Sequence, residues 1–333
     1  MFKGITEADA YEFRLSDETK YLAEKELRET SATRDFALKA LREWIEANPR
    51  IATARLDSNF LLRFLRAKKF SVPITQEGIE RYLLLRQSYK FFTNLDMNLP
   101  VMKKLLNDGY IFAVPQRDHM GRRVIITRPG VFDPFKYPNT DMLKLHGMVY
   151  ETLMEDEENQ IRGYVHIVDC TGVNLPYMTL FTPKEAVRII KNAEVNTLAM
   201  RHKEICAIKM HGSIKFAADF ALGLVTEKLR SRIKFFTSLE SVEGIDQSIL
   251  PLEYGGTMPM NEMIELWIAE MAALQPVLKN NDKMRVYLDM YSVKAREGAI
   301  SALKQMNRTL AEDKKNEANL YGLQGSFRKL QVD

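Results

Sequence analysis

Cysteine is scarce, with two residues in a chain of 333. Two thiols cannot build a disulfide framework or a four-thiolate zinc site. With no secretory leader, this points to a reducing, cytosolic compartment. Long apolar runs are lacking too. No stretch reaches the ~18 uncharged apolar residues that cross a bilayer. The most apolar segments, Phe216 to Val225 and Leu266 to Leu278, are short and each carries a charge. An excess of one charge is also missing: 48 basic residues face 44 acidic ones, a net +4. That balance argues against a nucleic-acid binder.

Catalytic signatures are absent as well. The chain has no G-x-G-x-x-G, no G-x-x-x-x-G-K-[ST] and no G-x-S-x-G. Its histidines, His119, His146, His166, His202 and His211, lack H-E-x-x-H spacing, so no metal site is expected. Cys170 and Cys206 read as small hydrophobes, not nucleophiles. Neither a cofactor nor an enzymatic activity is expected.

What remains is the composition of a globular protein, 46% hydrophobic and 28% charged. Single cores rarely grow past ~250–300 residues, so one large domain and a smaller one are expected. The 17 methionines read either as core filler or as lining of an adaptable cavity.

Along the first 95 residues the periodicity is helical. Thr33 to Ala47 carries Phe36, Leu38, Leu41, Trp44 and Ile45 on one stripe. Asp57 is placed to cap a helix with Phe60, Leu61, Phe64 and Leu65 inside and Arg63, Arg66, Lys68 and Lys69 on its other face and end. A third helix follows Pro73. Near residue 100 the pattern changes. Tyr110 to Val114 and Arg123 to Thr127 read as a hairpin, Thr140 to Met154 as a helix, and Gly163 to Asp169 as a strand. Thr182, Pro183 and Glu185 open a further helix with a capping box, and Glu204 to Ile208 is a strand. Strands alternating with helices indicate an α/β domain with a mixed, largely parallel sheet. Arg285 to Met306 looks helical, and Ala311 to Asn319 is strongly charged.

Residues 201–236 concentrate the positive charge: Arg201, Lys203, Lys209, Lys215, Lys228, Arg230, Arg232 and Lys234 stand against Glu204, Asp219 and Glu227. Within this stretch, Ile214, Phe216, Ala217, Phe220, Ala221, Leu224 and Val225 make a helix apolar nearly all round. A basic turn of helix, Thr226 to Arg232, follows. The segment reads either as a core helix followed by a solvated one, or as an apolar gate beside an anion-binding patch. His166 alternates with Tyr164 and Val168 on one strand face. It is either a core histidine with its hydrogen bond satisfied or a polar handle in a pocket.

Three segments occur in a telling order: Phe60 to Phe70 (FLLRFLRAKKF), Gly163 to Asp169 (GYVHIVD) and Leu250 to Gly256 (LPLEYGG). Together they resemble the CRAL-TRIO (Sec14-like) lipid-binding family over roughly residues 35–275. The likeness is greatest to the branch of α-tocopherol transfer protein, cellular retinaldehyde-binding protein and the clavesins. The ending Gly325 to Leu330 resembles arthropod members. The resemblance implies a helical subdomain at 1–95, a lipid-binding α/β domain at 96–276 and a helical, charged extension at 277–333. It also implies a closed apolar cavity between the sheet and a mobile gate helix, here about Gly212 to Val225. Leu143, Tyr150, Tyr164, His166, Val168, Cys206, Ile208, Phe216, Phe220 and Leu224 would line it.

In that branch a basic cleft beside the gate takes phosphoinositide phosphates. Lys228 and Arg232 match two of its positions, i, i+4 on one helical face. The other two fall on His202 and Glu204, with Arg201 and Lys203 one residue away; Lys209, Lys215 and Arg230 stand close in sequence. The function implied is a monomeric cytosolic carrier that shields a hydrophobic lipid (retinoid, tocopherol or similar terpenoid) and visits anionic, phosphoinositide-bearing membranes transiently. Sec14-type phospholipid exchange and a lipid-regulated trafficking module are the alternatives.

Overall fold

A computed structural model of the chain describes residues 2–89, 92–194, 197–239, 241–242, 244–299 and 301–307. The charged run at Ala311 to Asn319 and the ending Gly325 to Leu330 lie outside the described residues.

The N-terminal layer holds α1 (Asp17–Leu22), α2 (Ser31–Ala47), a short strand β1 (Ile51–Thr53), α3 (Ser58–Ala67) and α4 (Val72–Ser88). The caps explain where these helices begin. Thr30 and Thr33 form a reciprocal capping box on α2, Asp57 Oδ1 accepts from Phe60 N at 3.1 Å on α3, and Pro73 sits in the first turn of α4.

The basic face of α3 is enclosed. Arg63 and Arg66 are buried, with side chains 1% and 0% exposed. The reason is tertiary: α3 is covered on both sides, and its basic face meets carboxylates from distant segments. Arg63 Nη1 lies 3.2 Å from Glu151, while Arg66 lies 2.8 Å from Glu29 and 2.9 Å from Glu157.

The α/β part continues with α5 (Pro100–Asn107), β2 (Ile111–Arg117), β3 (Arg123–Thr127), α6 (Asn139–Met154), α7 (Glu157–Arg162), β4 (Tyr164–Asp169), α8 (Pro183–Glu194), β5 (His202–Ile208), α9 (Lys215–Leu224), α10 (Glu227–Arg230) and β6 (Ile233–Phe236). After it come α11 (Met260–Asn280), β7 (Arg285–Val286) and α12 (Val293–Arg296). The expected helix from Arg285 is therefore replaced at its start. Val286 pairs antiparallel with Ile51, and Tyr291 Oη donates to the buried Glu80 at 2.9 Å. These bonds draw the chain across the N-terminal helices instead of letting it coil.

The sheet runs β2-β3-β4-β5-β6, with β2 antiparallel to β3 and the remaining pairs parallel. Its strands are laid down in spatial order from β3 to β6. Right-handed crossovers therefore carry α6, α8 and α9 to one face. Tyr164, His166 and Val168 point to that face, as Tyr164 Oη donating to Leu153 O of α6 at 3.2 Å confirms. The other face carries Val165, Ile167 and Asp169. It meets the segment after β6, where Tyr254 Oη donates to Asp169 at 2.7 Å.

The Leu250 to Gly256 motif has a structural task. Gly255 has φ +87°, and a Cβ on Gly256 would fall 1.7 Å from Leu250 O, so only glycine fits this turn. Glu253 then accepts from Met260 N at 2.9 Å, fixing the start of α11. Methionines are largely packing: Met102, Met148, Met154, Met200 and Met271 are buried in the core. That corrects the cavity-lining reading for them.

Candidate functional site

On the β2–β3 side, the helix-covered face is sealed: Ile111, Ala113 and Ile125 are buried. Toward β5 and β6 it is not. Val168, Ile205 and Ile233 keep part of their surface, and Phe235 is 43% exposed. On the same side, α8 carries Val187, Ile189 and Ile190, all half-buried. No residue of α9 is buried; Phe216 is 62% and Phe220 52% exposed. Burial is worth about 25 cal/mol per Å² of apolar surface, so this face forgoes contacts that the rest of the core makes.

Two cations hold the end of α9. Lys191 Nζ donates to Leu224 O at 2.6 Å, and Arg230 Nη2 to Leu222 O at 2.7 Å. Both meet carbonyls that a helix C-terminus leaves open.

A row of polar rings lies on the same face. His146 of α6 bonds Tyr110 Oη through Nε2 at 3.0 Å and Tyr150 Oη through Nδ1 at 3.1 Å. The Tyr150 ring meets His166 edge-on, with centroids 6.2 Å apart. His166 Nε2 lies 2.8 Å from His202 Nδ1 across β4 and β5. Burial pushes His146 down to about 4 from its ordinary 6.5. Burial, helped by Arg232, pushes His202 to about 4, and burial with the neighbouring imidazoles holds His166 well below its ordinary value. All three are therefore neutral near pH 7.

The unfolded chain binds protons at these imidazoles more readily than the folded one. Stability is whole above the ordinary 6.5 and declines as pH falls toward 4. Urea midpoints should drop between about pH 7 and about pH 5, and His202→Gln should flatten that slope.

Residues 107–256 match the CRAL/TRIO domain, and residues 30–102 a Pinta-like UBA domain. The alpha-tocopherol transfer protein-like protein of Homo sapiens is 30% identical over 255 residues, covering 75% of this chain and 73% of that protein. This chain belongs to the CRAL-TRIO, Sec14-like family. Clavesin-1 of Xenopus laevis is 28% identical over 254 residues, covering 75% of this chain and 76% of its own. The crystal structure of Sfh5 aligns at 10% identity with a TM-score of 0.45, covering 79% of this chain and 100% of that one.

Against the CRAL-TRIO expectation, the sheet register makes one correction. Cys206 pairs with Ile167 and Ile208 with Asp169, so both lie on the face opposite His166. Ile205 and Ala207 take their place beside His166 and Val168. The cause is a bulge: His202 pairs with Tyr164 but Glu204 with Val165, which leaves Lys203 extra and reverses the alternation. Leu143 and Tyr150 are half-buried on α6, and Leu224 is half-buried at the end of α9. The hydroxyl of Tyr164 is already committed to Leu153 O. Sequence reasoning missed Tyr110, His146, His202 and Ile205. The i, i+4 pair His146 and Tyr150 on an expected helix was the available signal.

The basic residues are also rearranged. Helix α10 ends at Arg230, so Lys228 and Arg232 do not share a helical face. Arg232 lies beyond the helix, and its Nη1 donates to His202 O at 2.6 Å. Glu26 binds both Arg201, at 2.8 Å, and Lys203, at 2.9 Å. Lys209, Lys215, Lys228 and Arg230 are exposed. Among the described residues no group of acidic, histidine or cysteine side chains is arranged to hold a metal, and no helix is long and apolar enough to cross a membrane.

Proposed function

We propose that this CRAL-TRIO protein carries a hydrophobic lipid of terpenoid size, a retinoid, tocopherol or similar molecule, between membranes. The lipid sits between strands β4–β6 and helices α6, α8 and α9. The observation that carries this reading is the set of apolar side chains on one sheet face and on α8 and α9 that keep accessible surface while the rest of the core is closed. A hydrocarbon ligand supplies the missing contacts, and the imidazole–tyrosine row supplies polar partners for its head. Helix α9 is the gate. Among the described residues the side chains that bond α9 do so at its C-terminal carbonyls, so it can swing without breaking a packed core. The family name of the human relative, alpha-tocopherol transfer protein-like, supports the ligand class. The protein acts by transport, not catalysis, as a monomer in the cytoplasm that touches membranes transiently.

Lys215, Lys228 and Arg230, with Lys209 and Arg232 near by, meet anionic headgroups, phosphoinositides among them. Each basic residue near an anionic surface is worth about 1 kcal/mol. Lys215→Ala with Lys228→Ala should therefore slow lipid transfer to phosphoinositide vesicles about tenfold or more, and leave transfer to neutral vesicles unchanged. Equal rates for the variant and the parent on both surfaces would refute the patch.

A further inference from the structure

The polar row beside the proposed lipid space is directional. Tyr110 is 1% exposed, and among the described residues its hydroxyl meets only His146 Nε2. A buried hydroxyl proton needs an acceptor, so Tyr110 donates to that nitrogen. A neutral imidazole has one ring proton, which then sits on Nδ1 and is donated to Tyr150 Oη at 3.1 Å. The hydroxyl proton of Tyr150 is left over, on a side chain that keeps accessible surface.

The second pair has a complementary property. In neutral His166 and His202 one ring donates across the 2.8 Å contact and the other accepts. Whichever donates, the outer nitrogens, His166 Nδ1 and His202 Nε2, are one acceptor and one donor. Neither has a partner among the described residues. Tyr150 and His166 are in ring contact, so these groups form one site.

We propose that Tyr150 and the His166–His202 pair anchor the head of the lipid and select a neutral hydroxyl over a carboxylate. The proposal rests on the lipid-carrier reading above. A hydroxyl accepts from Tyr150 and donates to the one outer imidazole nitrogen that is an acceptor, so it satisfies both. A carboxylate can accept from Tyr150 and from the outer nitrogen that donates, but it leaves the acceptor nitrogen unpaired and brings a charge into an apolar site. Arg232, whose charge helps keep the His202 imidazole neutral, donates through Nη1 to the His202 carbonyl oxygen. Tyr110 and His146 are positioning residues that fix which way Tyr150 donates.

The test uses the full chain and three probes of one chain length: geranylgeraniol, geranylgeranoic acid and the matching hydrocarbon without a head. Each competes with Nile red near pH 7.5. The alcohol should bind about tenfold more tightly than the acid. Tyr150→Phe should weaken the alcohol about five- to tenfold and leave the hydrocarbon unchanged. Imidazole ¹⁵N shifts should report His146 as the Nδ1–H tautomer, a readout independent of any ligand. The proposal is overturned if the acid binds as well as the alcohol, if Tyr150→Phe weakens all three probes alike, or if His146 carries its proton on Nε2. Equal binding of all three leaves the carrier reading standing without this anchor. If none competes, the carrier reading fails and the anchor with it.

Discussion

Replacing Arg66 with methionine should lower stability by about 3–5 kcal/mol. The guanidinium is enclosed and fully engaged. It donates to Glu29 at 2.8 and 2.9 Å, to Glu157 at 2.9 Å, to Gln160 at 2.7 Å and to Tyr11 Oη at 3.0 Å. Those partners come from the N-terminal segment and from α7, so one side chain of α3 ties the helical layer to the α/β part. Methionine fills much of the same volume but leaves Glu29, itself 0% exposed, with Arg34 at 3.6 Å as its remaining cation. An ionised carboxylate stranded in that setting is the dominant cost. Removing both partners, Arg66→Met with Glu29→Met, should recover most of the loss, because no charge is then buried alone. Urea unfolding of the two variants measures the difference. A single variant within about 1 kcal/mol of the parent would show that the network does not hold the two parts together.

The second large effect is on binding. Ile205→Asp should weaken a hydrophobic ligand more than about a hundredfold while leaving the free protein folded. Ile205 pairs with His166 on one side and Ile233 on the other, on the face where side chains keep accessible surface. Without ligand, a carboxylate there retains water. With hydrocarbon against it, that water is displaced and the charge has no partner, a cost of several kcal/mol. A hundredfold loss corresponds to about 2.8 kcal/mol, which is within that cost. Thermal unfolding of the free variant and probe competition separate the two effects. Unchanged affinity would place the ligand elsewhere.

Local signals were legible in the sequence, and long-range ones were not. The Asp57 cap and the Thr182–Glu185 box lie within four residues of what they bond, so spacing alone reveals them. Strand β4 was legible as a short β-rich run opened by Gly163, as expected of a strand buried on both faces. Strand β6 was hidden in a basic run, since Lys234 looks outward and pairs with Glu204. Helix α7 has no apolar stripe. It is held by Asp156 at its start and by Asn159 and Gln160, whose amides donate to Leu153 O and Asn59. The bulge at Lys203 reverses the facing of everything after it in β5, which moved Cys206 and Ile208 off the candidate site. No residue type announces such an insertion. The partners of Arg63 and Arg66 were hidden for a similar reason: Glu151 and Glu29 lie far away in sequence.

Native mass spectrometry of the full chain, purified after exposure to a lipid extract and followed by ligand extraction, tests the carrier reading most directly. One hydrophobic lipid of terpenoid class per chain, lost in Ile205→Asp, is the expected result. A chain that stays at its bare mass, or one that retains lipid equally well after Ile205→Asp, would contradict it. Recovery of a phospholipid in that place would favour Sec14-type exchange instead.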